Sequence, residues 1–211
     1  MPAHPETTWS EIFRDRGYLQ LDAAKLASWM SENKAFFGLL RQLHAPGLTL
    51  LDVGSGPGRH SCGAAALGYR VVGVDRDADM VDVASRNARE VVPAADVTFH
   101  VADMADIARV CPGQAFDVIV HGGVLEHLAS ADDMRAALQS QLRLAPDVIF
   151  DVPVKTARNE ALFGQDTVFR HVWEAAEWAE AVLAGFNVAA TEVELRENPG
   201  MTDDLVVWLR R

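Results

Sequence analysis

Short apolar runs that alternate with helix-like segments constrain the fold of this chain more than any other feature. Five such runs occur in the first three quarters of the sequence, and helical segments follow them. The runs are Thr49–Val53, Arg70–Val74, Val97–Val101, Phe116–Val120 and Asp147–Asp151. Their high content of β-branched residues is typical of strands that are buried on both faces. Strands that alternate with helices predict a parallel sheet covered by helices on both sides.

The remaining segments complete this α/β prediction. Helices are expected at residues 22–43, 61–67, 77–91, 132–142 and 172–184, with Asp132 as the N-cap of the fourth. Two further strands at 187–195 and 205–209 follow, joined by a turn at Asn198, Pro199 and Gly200. Because no helix separates these two strands, we expect the last strand to be antiparallel.

The charge balance excludes two classes of partner. Asp and Glu number 30 against 19 Lys and Arg, which gives a formal net charge of −11. Nucleic acids and anionic membranes both attract clustered cations, so we expect neither as a partner. No run of about 18 apolar residues and no basic leader is present, so we expect no membrane span and no signal peptide. Cys62 and Cys111 have no metal-ligand spacing, which favours the reducing cytoplasm.

A glycine-rich loop directly after the first strand is the strongest motif in the sequence. Gly54–Gly58 contains three glycines, which let a backbone approach a ligand beyond the carboxyl ends of the strands. In the G-x-G-x-x-G dinucleotide fingerprint the third glycine comes one position later, where Arg59 stands here. Asp75 ends the second strand, at the position of a carboxylate that binds a ribose diol. Its alternative role is a helix N-cap, which Asp77 can also fill.

Five motifs together resemble those of the class I S-adenosylmethionine-dependent methyltransferases. They are Leu51–Gly58, Val74–Asp75, Val101–Met104, Phe116–Val120 and Val124–Leu128. The resemblance is close over residues 49–152 and looser in the terminal hairpin. It implies a Rossmann-like, doubly wound, mostly parallel seven-stranded sheet with an antiparallel terminal strand. It also implies S-adenosyl-L-methionine as the cofactor and methyl transfer as the reaction.

The resemblance further implies roles for individual residues. The glycine loop would contact the methionyl part of the cofactor, Asp75 the ribose hydroxyls, and Asp103 with the Met104 backbone the adenine. His121 and Gly122 would lie beside the sulfonium and the amino-acid tail. The expected cofactor-binding residues are Asp52, Gly54, Ser55, Gly56, Gly58, Asp75, Arg76, Asp103, Met104, His121 and Gly122. A helix N-cap is the alternative role for Asp103.

Two positions depart from the pattern of the resembled family. Arg76 follows the ribose-binding acid, where an apolar residue often packs on adenine. Its guanidinium can stack on the ring, or it can receive a 2′-phosphate, which leaves an NADP-linked oxidoreductase as the alternative function. His121 stands where many relatives carry a small residue, so an ionisable side chain is expected near the reacting centre. A third hypothesis is a non-catalytic protein that binds the cofactor.

Three histidines are the candidate catalytic residues. A sulfonium is already an activated leaving group, so the protein mainly aligns donor and acceptor, and a base is needed only when the acceptor must lose a proton. Histidine suits that role near neutral pH, and the candidates are His121, His127 and His171. A scaffold role for His127 and a solvated loop position for His171 are the alternatives. We expect no metal, because His121, Glu126, His127 and Asp151 lack a tight ligand spacing.

The domain organisation predicted from these observations is a single methyltransferase domain over residues 1–211. Residues 1–45 form a helical N-terminal extension or lid, 46–152 the cofactor-binding core, and 153–211 the acceptor-pocket segment and terminal hairpin. The candidate acceptor-binding residues are Tyr18, Phe163 and His171. Trp9, Phe13 and Tyr18 either close over the cofactor or pack the extension onto the sheet, and Phe163 and Phe169 have the same two possible roles. The absence of a large insertion favours a small-molecule acceptor.

Overall fold

One sheet with a mostly parallel arrangement organises the chain. The computed structural model describes residues 13–14, 17–43, 45, 47–163, 171–198 and 201–211. Within them the strands are β1 (Thr49–Val53), β2 (Arg70–Asp75), β3 (Val97–Val101), β4 (Val118–Gly122), β5 (Asp147–Pro153), β6 (Val188–Glu194) and β7 (Asp204–Arg210). Their order is β3-β2-β1-β4-β5-β7-β6. The first five are parallel, and β7 is antiparallel to both β5 and β6, which confirms the predicted fold class.

The described helices lie between and before these strands. They are α1 (Ala23–Glu32), α2 (Lys34–Leu43), α3 (Arg59–Ala66), α4 (Ala78–Val91), α5 (Ile107–Val110), α6 (Ala131–Leu144), α7 (Ala157–Phe163) and α8 (Ala175–Trp178). Short 3₁₀ turns at Met104–Asp106 and Leu125–His127 and a π-helical turn at Ala179–Leu183 complete the regular structure. None of the described helices combines the length and the apolar character that a membrane crossing requires.

The prediction of one continuous helix over residues 22–43 is wrong at Asn33. This residue leaves helical geometry (φ −108°, ψ 44°), and both its backbone N–H and its Nδ2 donate to the carbonyl of Trp29, at 3.0 and 2.8 Å. An Asn side chain that competes for a backbone carbonyl of a helix favours the end of that helix over its continuation. The extension is therefore two helices, α1 and α2, that meet at a buried polar residue.

Two other boundaries differ from the predicted ones for local electrostatic reasons. Helix α6 begins one residue earlier than predicted, because Ser130 and not Asp132 is the N-cap and accepts a hydrogen bond from the Asp133 N–H at 3.2 Å. Strand β4 begins and ends two residues later than predicted. The carboxylate of Asp117 accepts from the backbone N–H and the hydroxyl of Thr49, at 2.7 and 2.8 Å. Asp117 therefore lies just before the strand, and β4 begins at Val118.

The helix predicted at residues 172–184 is shorter and less regular than expected. Trp173 instead forms a parallel bridge with Val154, and α8 starts after Glu174, which makes a capping box with Glu177. The chain then continues as the π-helical turn. Part of the predicted hairpin turn, Pro199 and Gly200, lies outside the described residues.

Each face of the sheet has its own apolar core. On one face Phe36, Phe37 and Leu40 of α2 pack with Ala64 and Ala65 of α3. On the other, Met134 and Leu138 of α6 pack with Trp178 and the π-helical turn. Strand residues alternate between the two cores, since side chains of a strand point to opposite faces in turn. The carboxyl ends of β1, β2, β4 and β5 remain accessible between these layers.

Contacts far apart in sequence fix the segments that surround this edge. The Glu194 carboxylate of β6 accepts from the Ala35 N–H at the start of α2, at 2.8 Å. Asn159 of α7 donates to the carbonyls of Val154 and Asp203 at 2.7 Å each and accepts from the Asp203 N–H at 2.9 Å. These buried bonds tie α2 to the end of β6, and α7 to the chain segments that follow β5 and precede β7.

Two helical glycines provide a test of the packing between α2 and α3. A Cβ added to Gly63 would lie 2.5 Å from the ring of Phe37, which is fully buried, whereas a Cβ on Gly38 would meet nothing within 4 Å. We expect Gly63→Ala to lower the free energy of unfolding by roughly 1–3 kcal/mol through overpacking. The control Gly38→Ala should raise it by about 0.5–1 kcal/mol, because alanine favours helix. Urea denaturation measures both, and equal effects would contradict this packing.

Candidate functional site

Two adjoining cavities lie at the carboxyl edge of the sheet. The Asp75 cavity is lined by Asp75, Arg76, Ala102, Asp103, Met104 and Leu128 among others. The Glu126 cavity is lined by Tyr18, Trp29, Asn33, Arg59, Glu126 and Arg196 among others. Both include Phe13, Gly54, Gly56, Gly122, Gly123 and His127 in their walls. The glycine loop and the end of β4 therefore form the boundary between the two.

The glycine loop is held by the end of β2. The N–H groups of Gly54 and Ser55 both donate to the carbonyl of Val74, at 2.8 and 2.9 Å. The next N–H, of Gly56, donates to the Asp75 carboxylate at 2.8 Å. Gly54, Gly56 and Gly58 all have positive φ, which non-glycine residues rarely adopt. The loop therefore exposes backbone to both cavities in a fixed position.

Asp75 both orders the loop and lines a cavity. Its second oxygen accepts from the Asp77 N–H at 2.9 Å, and Asp77 in turn caps α4 through the N–H groups of Asp79 and Met80. The N-cap alternative for Asp75 therefore does not hold. Burial raises the pKa of Asp75, and the two N–H donors oppose that change. Each carboxylate oxygen can accept a further hydrogen bond, so hydroxyl groups in the cavity can still bind it.

The other predicted residues of this cavity lie after β2 and β3. Arg76, Asp103 and Met104 all line the Asp75 cavity. Asp103 accepts from the Ala105 N–H at 3.0 Å and is the N-cap of the first 3₁₀ turn. Its N-cap role and its place in the cavity wall are therefore compatible.

Asp52 and Gly58 lie outside the walls of both cavities. Asp52 is buried behind the loop, where its carboxylate accepts from the Ser61 hydroxyl at 2.6 Å. Burial raises the pKa of Asp52 to about 7, against the opposing effect of that hydrogen bond. A Cβ on Gly58 would lie 3.1 Å from the Cβ of Ala84, so Gly58 permits contact between the loop and α4. Ser55, in contrast, lines the Glu126 cavity.

The three candidate histidines occupy very different places. His121 is fully buried and stacks on Phe150, with 5.0 Å between the ring centroids. Because β4 extends to Gly122, the side chain of His121 points into the core on the α6 side and lines neither cavity. Burial lowers its pKa to about 3, so the ring is neutral at physiological pH. We therefore correct the expectation that His121 brings an ionisable group to the reacting centre.

His127 and His171 differ in whether they line a cavity. His127 lines both cavities, and its Nε2 lies 3.7 Å from a Glu126 carboxylate oxygen. His171 lines neither cavity, and its Nε2 lies within hydrogen-bond distance of the Leu128 carbonyl, at 3.0 Å. Of the three candidates, His127 is therefore the one that the fold brings to the boundary between the cavities.

The predicted acceptor residues are only partly described. Tyr18 lines the Glu126 cavity, and the Arg59 guanidinium lies 4.5 Å from its ring centroid. Phe13 lines both cavities, as a closing lid residue would. The side chain of Phe163 lies outside the described part of the structure, and so do Trp9 and Phe169.

Sequence reasoning missed several charged residues of the Glu126 cavity. Arg59, Arg196 and Asp204 line it, and Glu126 and Asp151 were considered only as metal ligands. Within the described residues no group of three or more His, Cys, Asp and Glu side chains is arranged to hold a metal ion. The position of Arg59 directly after the loop was a usable signal. Arg196 and Asp204 offered none, because they come from a hairpin that is distant in sequence.

Comparisons with known proteins give methyltransferases as relatives. Residues 50–146 match a family model described as a methyltransferase domain. A ubiquinone biosynthesis O-methyltransferase of Paramagnetospirillum magneticum is 32% identical over 151 residues, which is 70% of this chain and 57% of that protein. Its counterpart in Agrobacterium fabrum is 37% identical over 98 residues, or 46% of this chain and 38% of that protein. The family model and these relatives support membership of the class I S-adenosylmethionine-dependent methyltransferase superfamily.

Solved structures agree with this methyltransferase fold. A magnesium protoporphyrin IX methyltransferase from Synechocystis, solved with bound S-adenosylhomocysteine, has a TM-score of 0.68 at 20% identity, over 99% of this chain and 90% of that chain. A protein from Pyrococcus horikoshii has a TM-score of 0.69 at 17% identity, over 95% and 98%. The chain spans less than two thirds of the length of the two curated relatives named above. None of these similarities favours the NADP-linked alternative or the non-catalytic one.

The buried Asp52 makes the stability of this methyltransferase domain depend on pH. Its pKa is raised from 3.8 to about 7 in the folded state, so folding opposes its ionisation. The resulting loss of stability begins above the unfolded pKa and is complete above the folded one. We expect Asp52→Asn, which can still accept from Ser61, to melt increasingly above the wild type as pH rises from 4 to 8. At about 1.4 kcal/mol per pKa unit, the difference should reach a few kcal/mol.

The control for this pH dependence is Asp82→Asn, which removes an exposed carboxylate of α4. Thermal denaturation of the ligand-free protein across this pH range measures all three proteins. A constant difference between Asp52→Asn and the wild type would contradict the raised pKa.

Proposed function

We propose that this protein is an S-adenosylmethionine-dependent methyltransferase with a small-molecule acceptor. The observation that carries the proposal is the pair of cavities that meet at the glycine loop. The Asp75 cavity suits an adenosine group, and the Glu126 cavity provides a separate volume for the acceptor. Since the two share the walls formed by Gly54, Gly56 and His127, a methyl group bound at the boundary can pass from one to the other.

The Asp75 cavity offers partners for each part of an adenosine. Asp75 has capacity to accept from both ribose hydroxyls, and a carboxylate makes stronger hydrogen bonds than a neutral acceptor. Asp103 can accept from the adenine amino group, and Arg76 can stack on the ring. Relatives described as methyltransferases, and a solved structure with bound S-adenosylhomocysteine, support this choice of cofactor.

Arg59 is suited to bind the amino-acid carboxylate of the cofactor. It is the first residue of α3, directly after the glycine loop, and it lines the Glu126 cavity beside Gly54 and Gly56. Its guanidinium is positioned over the rings of Tyr18 and Trp29, at 4.5 and 5.0 Å, and one nitrogen donates to the Tyr18 carbonyl at 3.0 Å. A guanidinium fixed in this way needs little ordering before it binds a carboxylate.

The reaction requires alignment more than acid–base chemistry. The bound cofactor supplies the methyl group on a positively charged sulfur, which is already a good leaving group. The walls of the Glu126 cavity would hold the acceptor atom in line with that methyl group at ~3–3.5 Å. His127, at the boundary of the cavities and 3.7 Å from a Glu126 oxygen, is placed to take a proton from an acceptor that must lose one.

Charge and thiol chemistry support the remaining parts of the proposal. The net charge of −11 is unfavourable for a nucleic-acid acceptor, which supports a small molecule. Cys62 and Cys111 are both buried free thiols, as is usual in the reducing cytoplasm, where we propose that the protein acts.

Titration calorimetry with S-adenosylhomocysteine tests cofactor binding. We expect the wild type to bind, and Asp75→Asn and Asp103→Asn to weaken binding at least tenfold, which corresponds to about 1.4 kcal/mol. The exposed Asp82→Asn is the control for loss of one negative charge and should bind normally. Failure of the folded wild type to bind would contradict the proposed function.

A second titration separates the two ends of the cofactor. Methylthioadenosine contains the adenosine group but lacks the amino-acid carboxylate. We expect Arg59→Met, which keeps an apolar stem over Tyr18, to weaken S-adenosylhomocysteine binding at least tenfold and to leave methylthioadenosine binding unchanged. Asp75→Asn should weaken both ligands. Equal loss of both ligands in Arg59→Met would contradict the assignment of Arg59 to the carboxylate.

A further inference from the structure

Four of the residues that line the Glu126 cavity are buried and carry hydrogen-bond acceptors. We call Asn33, Glu126, Asp151 and Asp204 the acidic floor; all four line the cavity, and their exposed fractions are only 1%, 1%, 5% and 5%. They come from four separate parts of the chain, at the α1–α2 junction, the turn after β4, β5 and β7. Three carboxyl groups in one buried wall are costly unless each has a partner.

The protein supplies partners for only part of this floor. Asp151 accepts from the Gly123 N–H at 2.9 Å, and Asp204 accepts from the Thr202 hydroxyl at 3.1 Å. One Glu126 oxygen and the Asn33 Oδ1 have no hydrogen-bond partner within the described residues. The Asn33 Nδ2 donates to Trp29, which directs the amide oxygen to act as the remaining acceptor. The unused capacity of the floor is therefore for hydrogen bonds from a donor.

The nearby cations do not neutralise the floor. Arg196 lies 2.9 Å from Asp204 and 3.5 Å from Glu194, so its single charge is shared between two carboxylates. Arg59 also lines the cavity, but its guanidinium is held over Tyr18 and Trp29 at the loop side. His60, one of two described histidines that line this cavity, has its pKa lowered to about 3 by burial and by Arg196, so it is neutral. Among the described residues Asp151 has no cationic partner at ion-pair distance, and Glu126 has His127, whose Nε2 lies 3.7 Å from one of its oxygens while the other oxygen has no hydrogen-bond partner.

We propose that the acceptor carries a protonated amine or amidine group, which binds to Glu126, Asp151 and Asn33. This inference rests on the proposed function, since it names the class of molecule that occupies the Glu126 cavity. It concerns the group that anchors the acceptor, whichever atom receives the methyl group. Such a group has several N–H donors and a positive charge, which are the two features that the floor lacks.

The protonation of the ligand-free floor agrees with this inference. Burial and the neighbouring carboxylates raise the pKa of Glu126, and the same causes raise the pKa of Asp151 to about 8. Without a ligand, protons reduce the repulsion between these groups. A bound cation replaces that stabilisation and allows the carboxylates to ionise.

The apolar residues of the cavity indicate the chemical character of the rest of the acceptor. Phe13, Tyr18 and Trp29 of the N-terminal extension line the Glu126 cavity, and so do Pro153 and Met201. An aryl or alkyl group carrying a terminal amine therefore has an apolar surface for its body and carboxylates for its charged end.

Three probes of the same size test this inference. Benzylamine, benzyl alcohol and benzoate share a phenyl ring and differ in the group that would face the floor. Each is titrated into protein that has first been saturated with S-adenosylhomocysteine, so a failure of cofactor binding is detected before the acceptor is tested. We expect benzylamine to bind at least tenfold more tightly than the alcohol, and benzoate to bind most weakly.

Variants of the floor complete the experiment. Glu126→Gln and Asp151→Asn keep the size of the side chain and should each reduce benzylamine affinity at least tenfold, without changing the affinity for S-adenosylhomocysteine. Glu160→Gln removes an exposed charge of α7 and is the control. Equal binding of the three probes, including no binding of any, would overturn the inference. So would a matching loss of S-adenosylhomocysteine affinity in Glu126→Gln, because the floor would then bind the ammonium group of the cofactor.

Discussion

The hydrogen bonds between the glycine loop and the end of β2 determine where everything else at the site can be. Because β1 and β2 are parallel and in register up to Val53 and Val74, the chain leaves β1 beside the carbonyl of Val74, one residue before the end of β2. Two consecutive N–H groups bind that carbonyl, and the third binds the next side chain, Asp75. The loop is thus fixed by the same ladder that forms the sheet. A backbone held in this way can contact a ligand without losing further conformational freedom.

Buried carboxyl groups at and behind this site lower the stability of the folded protein at neutral pH. Asp52 lies behind the loop and accepts from the Ser61 hydroxyl, whereas Asp151 and Asp204 line the Glu126 cavity near Arg196. Desolvation raises the pKa of each, so each opposes folding at neutral pH. Large apolar cores on both faces of the sheet compensate for this cost. Buried groups whose ionisation is opposed by the fold are concentrated at functional sites more often than elsewhere.

The sequence was sufficient for the sheet and for the Asp75 cavity, because both depend on local patterns. Apolar runs located all seven strands, and Asp75, Arg76, Asp103 and Met104 follow strands closely enough that their place at the sheet edge was predictable. The error at His121 arose from a shift of two residues in β4. Since side chains alternate in a strand, the end of the strand decides whether a residue lies at the edge or in the core. Motif position alone did not contain that information.

The Glu126 cavity shows why the rest was not predictable. Its floor depends on the antiparallel pairing of β5 with β7, which places Asp204 opposite Pro153 and brings Arg196 back to the sheet edge. It also depends on Asn33, which apolar periodicity concealed within one long predicted helix. Asn33 ends α1 and binds the Trp29 carbonyl through its Nδ2, which leaves its amide oxygen without a hydrogen-bond partner among the described residues. The interruption that sequence periodicity missed is therefore the feature that joins the N-terminal helices to the acidic floor.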